Sequence, residues 1–100
     1  MQALLHSPYP DEAAILRLVI QQAGFSVRSI RDIDRAIEEW PENPAELVVL
    51  SLTDDFAKSL HRIVQMRAQA EITLIVITDP LTENKHVEIL EAGADLVVTR

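Results

Sequence analysis

Cysteine is absent from the 100 residues, which excludes a disulfide framework, thiolate catalysis and a cysteine-based zinc site, and fits a reducing compartment such as the cytoplasm. Glycine occurs only at Gly24 and Gly93, so the chain has no glycine-rich loop to cradle a phosphate or a dinucleotide. No apolar run approaches the roughly 18 residues that a membrane helix requires, and the opening MQALLHS has no basic leader of the kind that marks secretion. Basic residues are in the minority, nine Lys and Arg against 16 Asp and Glu, for a formal net charge of -7. No stretch gathers them onto a face that neutralises several phosphates. Direct nucleic-acid binding by this segment is therefore not expected.

What is present is apolar patterning. With 48% hydrophobic residues, the chain has enough material for one core and too little length for two, so residues 1–100 are read as a single domain. Short β-rich runs alternate with longer amphipathic ones, turn residues marking each junction. Gln2 to His6 reads as a first strand, followed by Pro8 and Pro10 and then by Asp11 and Glu12 in the first turn of a helix, where the helix dipole favours negative charge. That helix presents Ile15, Leu16, Val19, Ile20 and Ala23 as its inner face and stops at Gly24. Phe25 to Ile30 alternates imperfectly, as an edge strand does.

Asp32 caps a short helix carrying Ile33, Ala36, Ile37 and Trp40, closed by Pro41 and Pro44, with Trp40 read as a core anchor. Leu47 to Leu52 and Ile72 to Thr78 are continuous apolar runs, expected as central strands covered on both faces. Between them, Asp54 or Asp55 caps a helix that turns Phe56, Leu60, Ile63 and Val64 inward, with Lys58, Arg62 and Arg67 pointing elsewhere. Thr82 caps a fourth helix with Val87, Leu90 and Ala94 inward and Gly93 near its end, before Leu96 to Thr99 forms the last strand. The order β-α-β-α-β-α-β-α-β belongs to the α/β class with a parallel sheet and crossover helices. Chains of this order usually continue into another helix, and right-handed crossovers would seat it beside the first. Its absence before Arg100 leaves one sheet face partly bare, which suggests a fragment of a longer regulator or a self-associating domain.

Several strings carry a resemblance to a known family. Glu91-Ala92-Gly93-Ala94-Asp95 followed by Leu96-Val97-Val98-Thr99-Arg100 is similar to EAGADDYLTKP of bacterial response-regulator receiver (CheY-like) domains. Glu46 to Leu52 resembles that family's DLVLLDL, Ile75-Val76-Ile77-Thr78 its fourth strand, and Gln22 to Val27 the close of its first helix. The resemblance spans the whole chain. It implies a doubly wound, flavodoxin-like five-stranded sheet of order 2-1-3-4-5, lacking the fifth helix, in a signal-transduction module of two-component systems.

The resemblance also implies where chemistry belongs. A typical receiver holds magnesium with two acidic residues after the first strand and an aspartate ending the third, and that aspartate accepts a phosphoryl group. Magnesium needs hard oxygen ligands, usually one or two carboxylates, while the metal and a lysine offset charge on the transferring oxygens. Here the acidic pair corresponds to Ser7 and Pro8, and the acceptor to Ser51, a neutral hydroxyl with no evident base in the sequence. Thr78 matches the switch hydroxyl, Val97 replaces the switch aromatic, and Arg100 stands at the lysine position with charge kept and geometry changed. The expectation is a degenerate receiver (pseudo-receiver) without catalytic residues or magnesium.

Bland readings account for the other polar candidates. Asp11, Asp54 and Asp55 are explained by helix ends, Asp79 by a turn before Pro80, and His6, His61 and His86 are too scattered for a metal set. Glu83, Lys85, His86, Glu88 and Glu91 decorate the fourth helix, which with the fifth strand forms a common partner or dimer face in receivers. The preferred function is thus a phosphorylation-independent regulatory module that is not an enzyme. It would act through protein contacts, as a homodimer or with a protein partner, on an attached output domain such as one that binds DNA, with no membrane or nucleic-acid contact of its own. Two alternatives are an atypical phosphoacceptor with a shifted pocket at Asp54 and Asp55, and a small-ligand-binding flavodoxin-like domain.

Overall fold

Five strands and four helices alternate along the residues described, 1–53, 55–69 and 71–100 of a computed structural model. In chain order they are β1 (Gln2–His6), α1 (Pro10–Gln22), β2 (Ser26–Ser29), α2 (Ile33–Glu38), β3 (Leu47–Ser51), α3 (Phe56–Gln69), β4 (Thr73–Thr78), α4 (Glu83–Ala92) and β5 (Leu96–Thr99). All neighbouring strands pair in parallel in the order β2-β1-β3-β4-β5. This is the doubly wound, flavodoxin-like sheet expected from the sequence. β3 is buried at every position, as its unbroken apolar run requires of a strand covered on both faces.

Strand alternation divides the interior in two. Leu4, Val48, Leu50, Leu74 and Val76 point to one face and pack with Ile33, Ile37, Trp40, Ile63, Met66 and Ile89 from α2, α3, α4 and the turn after α2. Ala3, Leu5, Leu47, Val49 and Ile77 point to the other, where only α1 lies, contributing Ile20 and the partly buried Leu16.

The helix ends follow the expected capping chemistry. Asp32 accepts from the Arg35 amide at 3.1 Å, Asp55 from the Lys58 amide at 3.0 Å and Thr82 from the Lys85 amide at 3.3 Å; Asp54, the other candidate cap of α3, lies outside the described residues. Each cap satisfies an amide that the first helical turn leaves without a partner. Gly93 ends α4 with φ +130°, and a Cβ there would stand 2.9 Å from Arg67 Cβ and Cγ. Arg67 explains the closeness, because its guanidinium donates to Gly93 O at 2.7 and 2.9 Å, to Ile72 O at 2.9 Å and to Asp95 Oδ2 at 2.7 Å.

The inner faces of three helices differ from the sequence expectation. In α1, Ile20 is buried and Leu16 partly buried as expected, but Ile15 and Val19 are exposed, as is Ala23 just after the helix. Residues 13–20 of α1 are apolar on nearly every side, so periodicity could not choose the face that the sheet selects. In α3, Ile63 and Met66 are buried and Val64 is exposed; in α4, Ile89 is buried whereas Val87 and Leu90 are exposed. Ala94 is buried but follows the helix. β2 and β4 are also shorter than their apolar runs, starting at Ser26 and Thr73.

Candidate functional site

All five strands are parallel, so their carboxyl ends gather at one rim, where folds of this topology place their ligands. Ser7 follows β1, Ser51 ends β3, Asp79 follows β4 and Arg100 follows β5. The crossover from β1 brings the first turn of α1 over the same rim, and with it Glu12.

Glu12 organises the site. Its Oε2 accepts from Ser7 Oγ at 2.6 Å and from Ser51 Oγ at 2.7 Å, and its Oε1 accepts from Arg100 Nε at 3.0 Å. Arg100 also donates to Asp79 Oδ1 at 3.1 Å, to Leu52 O at 3.0 Å and to Ser51 Oγ. Its backbone is fixed by a bond from its amide to Thr78 O at 2.9 Å, and its guanidinium lies 4.8 Å from the centre of the Tyr9 ring, within cation–π range. Ser51 is 2% exposed, so this network closes over a hydroxyl that solvent barely reaches.

Two expectations are corrected here. Ser51 does have a carboxylate beside it, and the loss of acidic side chains at Ser7 and Pro8 does not leave the rim without negative charge. Glu12 supplies both; reading it only as a residue favoured by the helix dipole missed this. The available signal was a carboxylate five positions after Ser7, in the helical turn that the crossover must carry over the rim.

Glu12 is nevertheless a poor base. Burial alone would raise its pKa, but the hydrogen bonds from Ser7, Ser51 and Arg100 and the guanidinium charge outweigh burial and hold it below the ordinary glutamate value. A carboxylate so stabilised has less tendency to take a proton. The Ser51 oxygen meanwhile accepts from Arg100, which occupies a lone pair that nucleophilic attack would use.

Other sequence candidates do not join this cluster. The Thr78 side chain, 5% exposed, lines a separate cleft of about 100 Å³ with Phe56, Ser59 and Lys85. Val97 packs partly buried against the α2-α3-α4 core. His6 Nδ1 lies 3.0 Å from Ile30 O, so that nitrogen donates. Asp11 remains exposed in the first turn of α1, and Asp55 is engaged in its cap. Among the described residues no group of three or more His, Cys, Asp or Glu converges as a metal set. At the rim itself, Ser7 and Ser51 offer only hydroxyls, the Glu12 oxygens and Asp79 Oδ1 are already taken up, and Arg100 brings positive charge between the two carboxylates. That donor set does not fit magnesium, which seeks free carboxylate oxygens. Among the described residues no helix is long and apolar enough to cross a membrane.

The sequence matches no protein-family model and no curated relative. Solved structures do match in fold. A two-component response regulator from Clostridium difficile superposes with TM-score 0.84 at 15% identity, covering 100% of this chain and 83% of that one. A CheY-like protein (tadZ) from Pseudomonas aeruginosa gives 0.80 at 16% identity, covering 99% and 86%. A response regulator from Burkholderia pseudomallei, with a phosphorylated aspartic acid, a calcium ion and citrate, gives 0.80 at 18% identity and covers 99% of this chain. This chain spans 59% of that protein's length. The fold is therefore that of response-regulator receiver domains.

Proposed function

We propose that this domain is a signal-transduction regulatory module of the receiver type that works without phosphorylation, through protein contacts acting on an attached output domain. The observation that carries this reading is the Glu12-Ser7-Ser51-Arg100 network. The neighbour from Burkholderia pseudomallei carries a phosphorylated aspartic acid; in this chain β3 ends in Ser51, already bonded to an anion and a cation. A phosphoryl group arriving here would meet the Glu12 and Asp79 carboxylates around a single guanidinium. Repulsion by these charges opposes transfer, and the same guanidinium opposes a divalent cation. No residue is assigned a catalytic role.

Contacts then carry the signal. Two sets of exposed apolar side chains suit them: Val87 and Leu90 on α4, and Leu96 and Val98 on β5. Apolar groups grouped in this way favour association with a second copy or with another protein. An output domain that binds DNA fits such a module, because the acidic balance of this segment makes it a poor direct ligand for DNA.

The test is incubation of the protein with acetyl phosphate and magnesium, followed by intact-mass measurement. An unmodified mass is expected. A phosphoryl adduct overturns the reading, and an adduct lost when Asp54 and Asp55 are both replaced by Asn favours a shifted acidic pocket instead. Calorimetric titration with nucleotides and flavin mononucleotide is expected to show no heat; a saturating signal would make the domain a small-ligand binder.

A further inference from the structure

Every ion pair among the described residues uses an arginine: Arg35 with Glu39, Arg62 with Asp34, Arg67 with Asp95, and Arg100 with Glu12 and Asp79. The three remaining arginines, Arg17, Arg28 and Arg31, lie together at the β2 edge of the sheet. Arg17 reaches over from α1 to donate to Val27 O at 3.4 Å and Ser29 Oγ at 2.6 Å, and Arg28 donates to Asn43 O at 2.8 Å. These partners are neutral, so neither charge is offset. Arg31 is exposed and makes no hydrogen bond or ion pair among the described residues. In a chain of net charge -7, uncompensated positive charge is thus concentrated at one edge.

That edge is also shaped to receive a chain. An open cleft of about 400 Å³ between β2 and α2 is lined by Arg28, Arg31 and Arg35 and also by Asp32 and Glu39. Glu39 is paired with Arg35 and Asp32 caps α2, which leaves Arg28 and Arg31 as the cleft's uncompensated charges. A second cleft, of about 430 Å³ and lined by Pro8 and Pro10, shares Ile30 and Arg31 with the first. β2 is one of the two edge strands, β5 being the other. The amides of Ser26 and Ile30 donate to Met1 O and Leu5 O of the β1 side, so alternation turns the Val27 and Ser29 amides outward. Alternation also separates the side chains, with Val27 in the α1-side cluster and Arg28 toward α2.

We propose that the β2 edge binds an acidic polypeptide segment of a partner protein, which adds as an extended strand. Its backbone would pair with the outward amides of Val27 and Ser29, displacing Arg17 from Val27 O, and its carboxylates, on alternate residues, would meet Arg28 and Arg31 on the α2 face. A polypeptide fits better than a nucleic acid, because the edge offers backbone N–H and C=O groups that an extended peptide can pair with and a nucleic acid cannot. The Ser51 site plays no part in this binding, so phosphorylation of the protein would leave the inference standing.

The test uses the full chain and a fluorescein-labelled peptide of roughly eight residues alternating glutamate and valine, a length that spans the short edge. Fluorescence anisotropy is expected to show saturable binding that weakens as salt is raised. Replacing Arg28 and Arg31 together by Gln should weaken it roughly tenfold, as loss of two complementary charges does. Arg62→Gln should leave it unchanged, and hydrogen exchange at the Val27 and Ser29 amides should slow on binding. Charge reversal by Arg31→Glu provides a second variant at an exposed position. Absence of binding, equal affinity in the double variant, equal binding of a lysine-valine peptide, or tighter binding of single-stranded DNA would each overturn the proposal. Exchange protection on α4 and β5 with none on β2 would overturn it as well.

Discussion

The two faces of the sheet are built from strands of similar composition but are finished differently. Among the described residues, 14 buried ones form one cluster toward α2, α3 and α4, and six form another toward α1. The difference lies in the helices, because one helix cannot cover a sheet of five strands. Leu96 and Val98, on the α1 side by alternation from the inward Val97, are 51% and 41% exposed. Ile15 and Val19 of α1 are likewise largely exposed, at 65% and 57%. Among the described residues, packing is therefore concentrated in one layer, while the other leaves apolar side chains exposed.

Truncations in the two layers should break this comparison most visibly if it is wrong. Leu74→Ala removes a fully buried side chain from the three-helix layer and is expected to cost about 3–4 kcal/mol. Leu16→Ala, in the partly buried α1 layer, should cost about 1–2 kcal/mol. Urea unfolding followed by the fluorescence of Trp40, which is buried in the larger cluster, measures both. Equal costs would remove the asymmetry.

Gly93 and Gly24 sharpen the comparison next. Both have positive φ, +130° and +98°, but only Gly93 has a neighbour, Arg67, where a Cβ would sit. Gly24→Ala should cost about 1 kcal/mol from backbone strain, and Gly93→Ala about 2–3 kcal/mol because α3 must also give way. A Gly24 variant as damaged as the Gly93 variant would show that the Arg67 contact is immaterial.

The rim that joins the layers should respond to charge. Glu12→Gln keeps the side-chain shape but leaves Arg100 with only the exposed Asp79, and is expected to cost about 1–3 kcal/mol. Glu12 and Asp95 both have lowered pKa values: burial raises Glu12 less than Ser7, Ser51 and Arg100 lower it, while the Leu74 amide and then Arg67 lower Asp95. The unfolded state therefore binds more protons than the folded one in acid. Their contribution is fully present above the unfolded carboxylate values near pH ~4 and declines as pH falls through the lower folded values. Chemical denaturation across this range should show that decline, less steep in Glu12→Gln. An unchanged slope would mean that the Glu12 network does not persist in solution.

How much of this was legible depends on what kind of signal each feature leaves. Continuous runs such as Leu47 to Leu52 marked the central strands because burial on both faces removes alternation. Asp32, the adjacent pair Asp54 and Asp55, and Thr82 marked helix starts because capping is local. The inner face of α1 was not legible, since Leu16 and Ile20 compete with Ile15 and Val19 and only the sheet decides between them. The role of Glu12 was hidden for a related reason. Its partners Ser51 and Arg100 stand 39 and 88 residues away, and their meeting depends on strand order rather than local pattern. Arg28 and Arg31 became a cleft in the same way, through the placement of β2 against α2.

The smallest expected stability change tests the uncovered layer. Replacing Leu96 and Val98 together by Ser exchanges side chains that are already about half exposed, so the cost should remain within about 0.5 kcal/mol. Sedimentation velocity should nevertheless show less self-association than in the unaltered protein, because the exchange makes an exposed apolar surface polar. The corresponding double replacement of Val87 and Leu90 on α4 separates the two candidate contact surfaces. Loss of association only in the β5 variant assigns the interface to the sheet face, and loss only in the α4 variant assigns it to the helix. A stability cost above about 2 kcal/mol for the β5 pair would mean that Leu96 and Val98 are packed in solution, and would end the contrast between the layers.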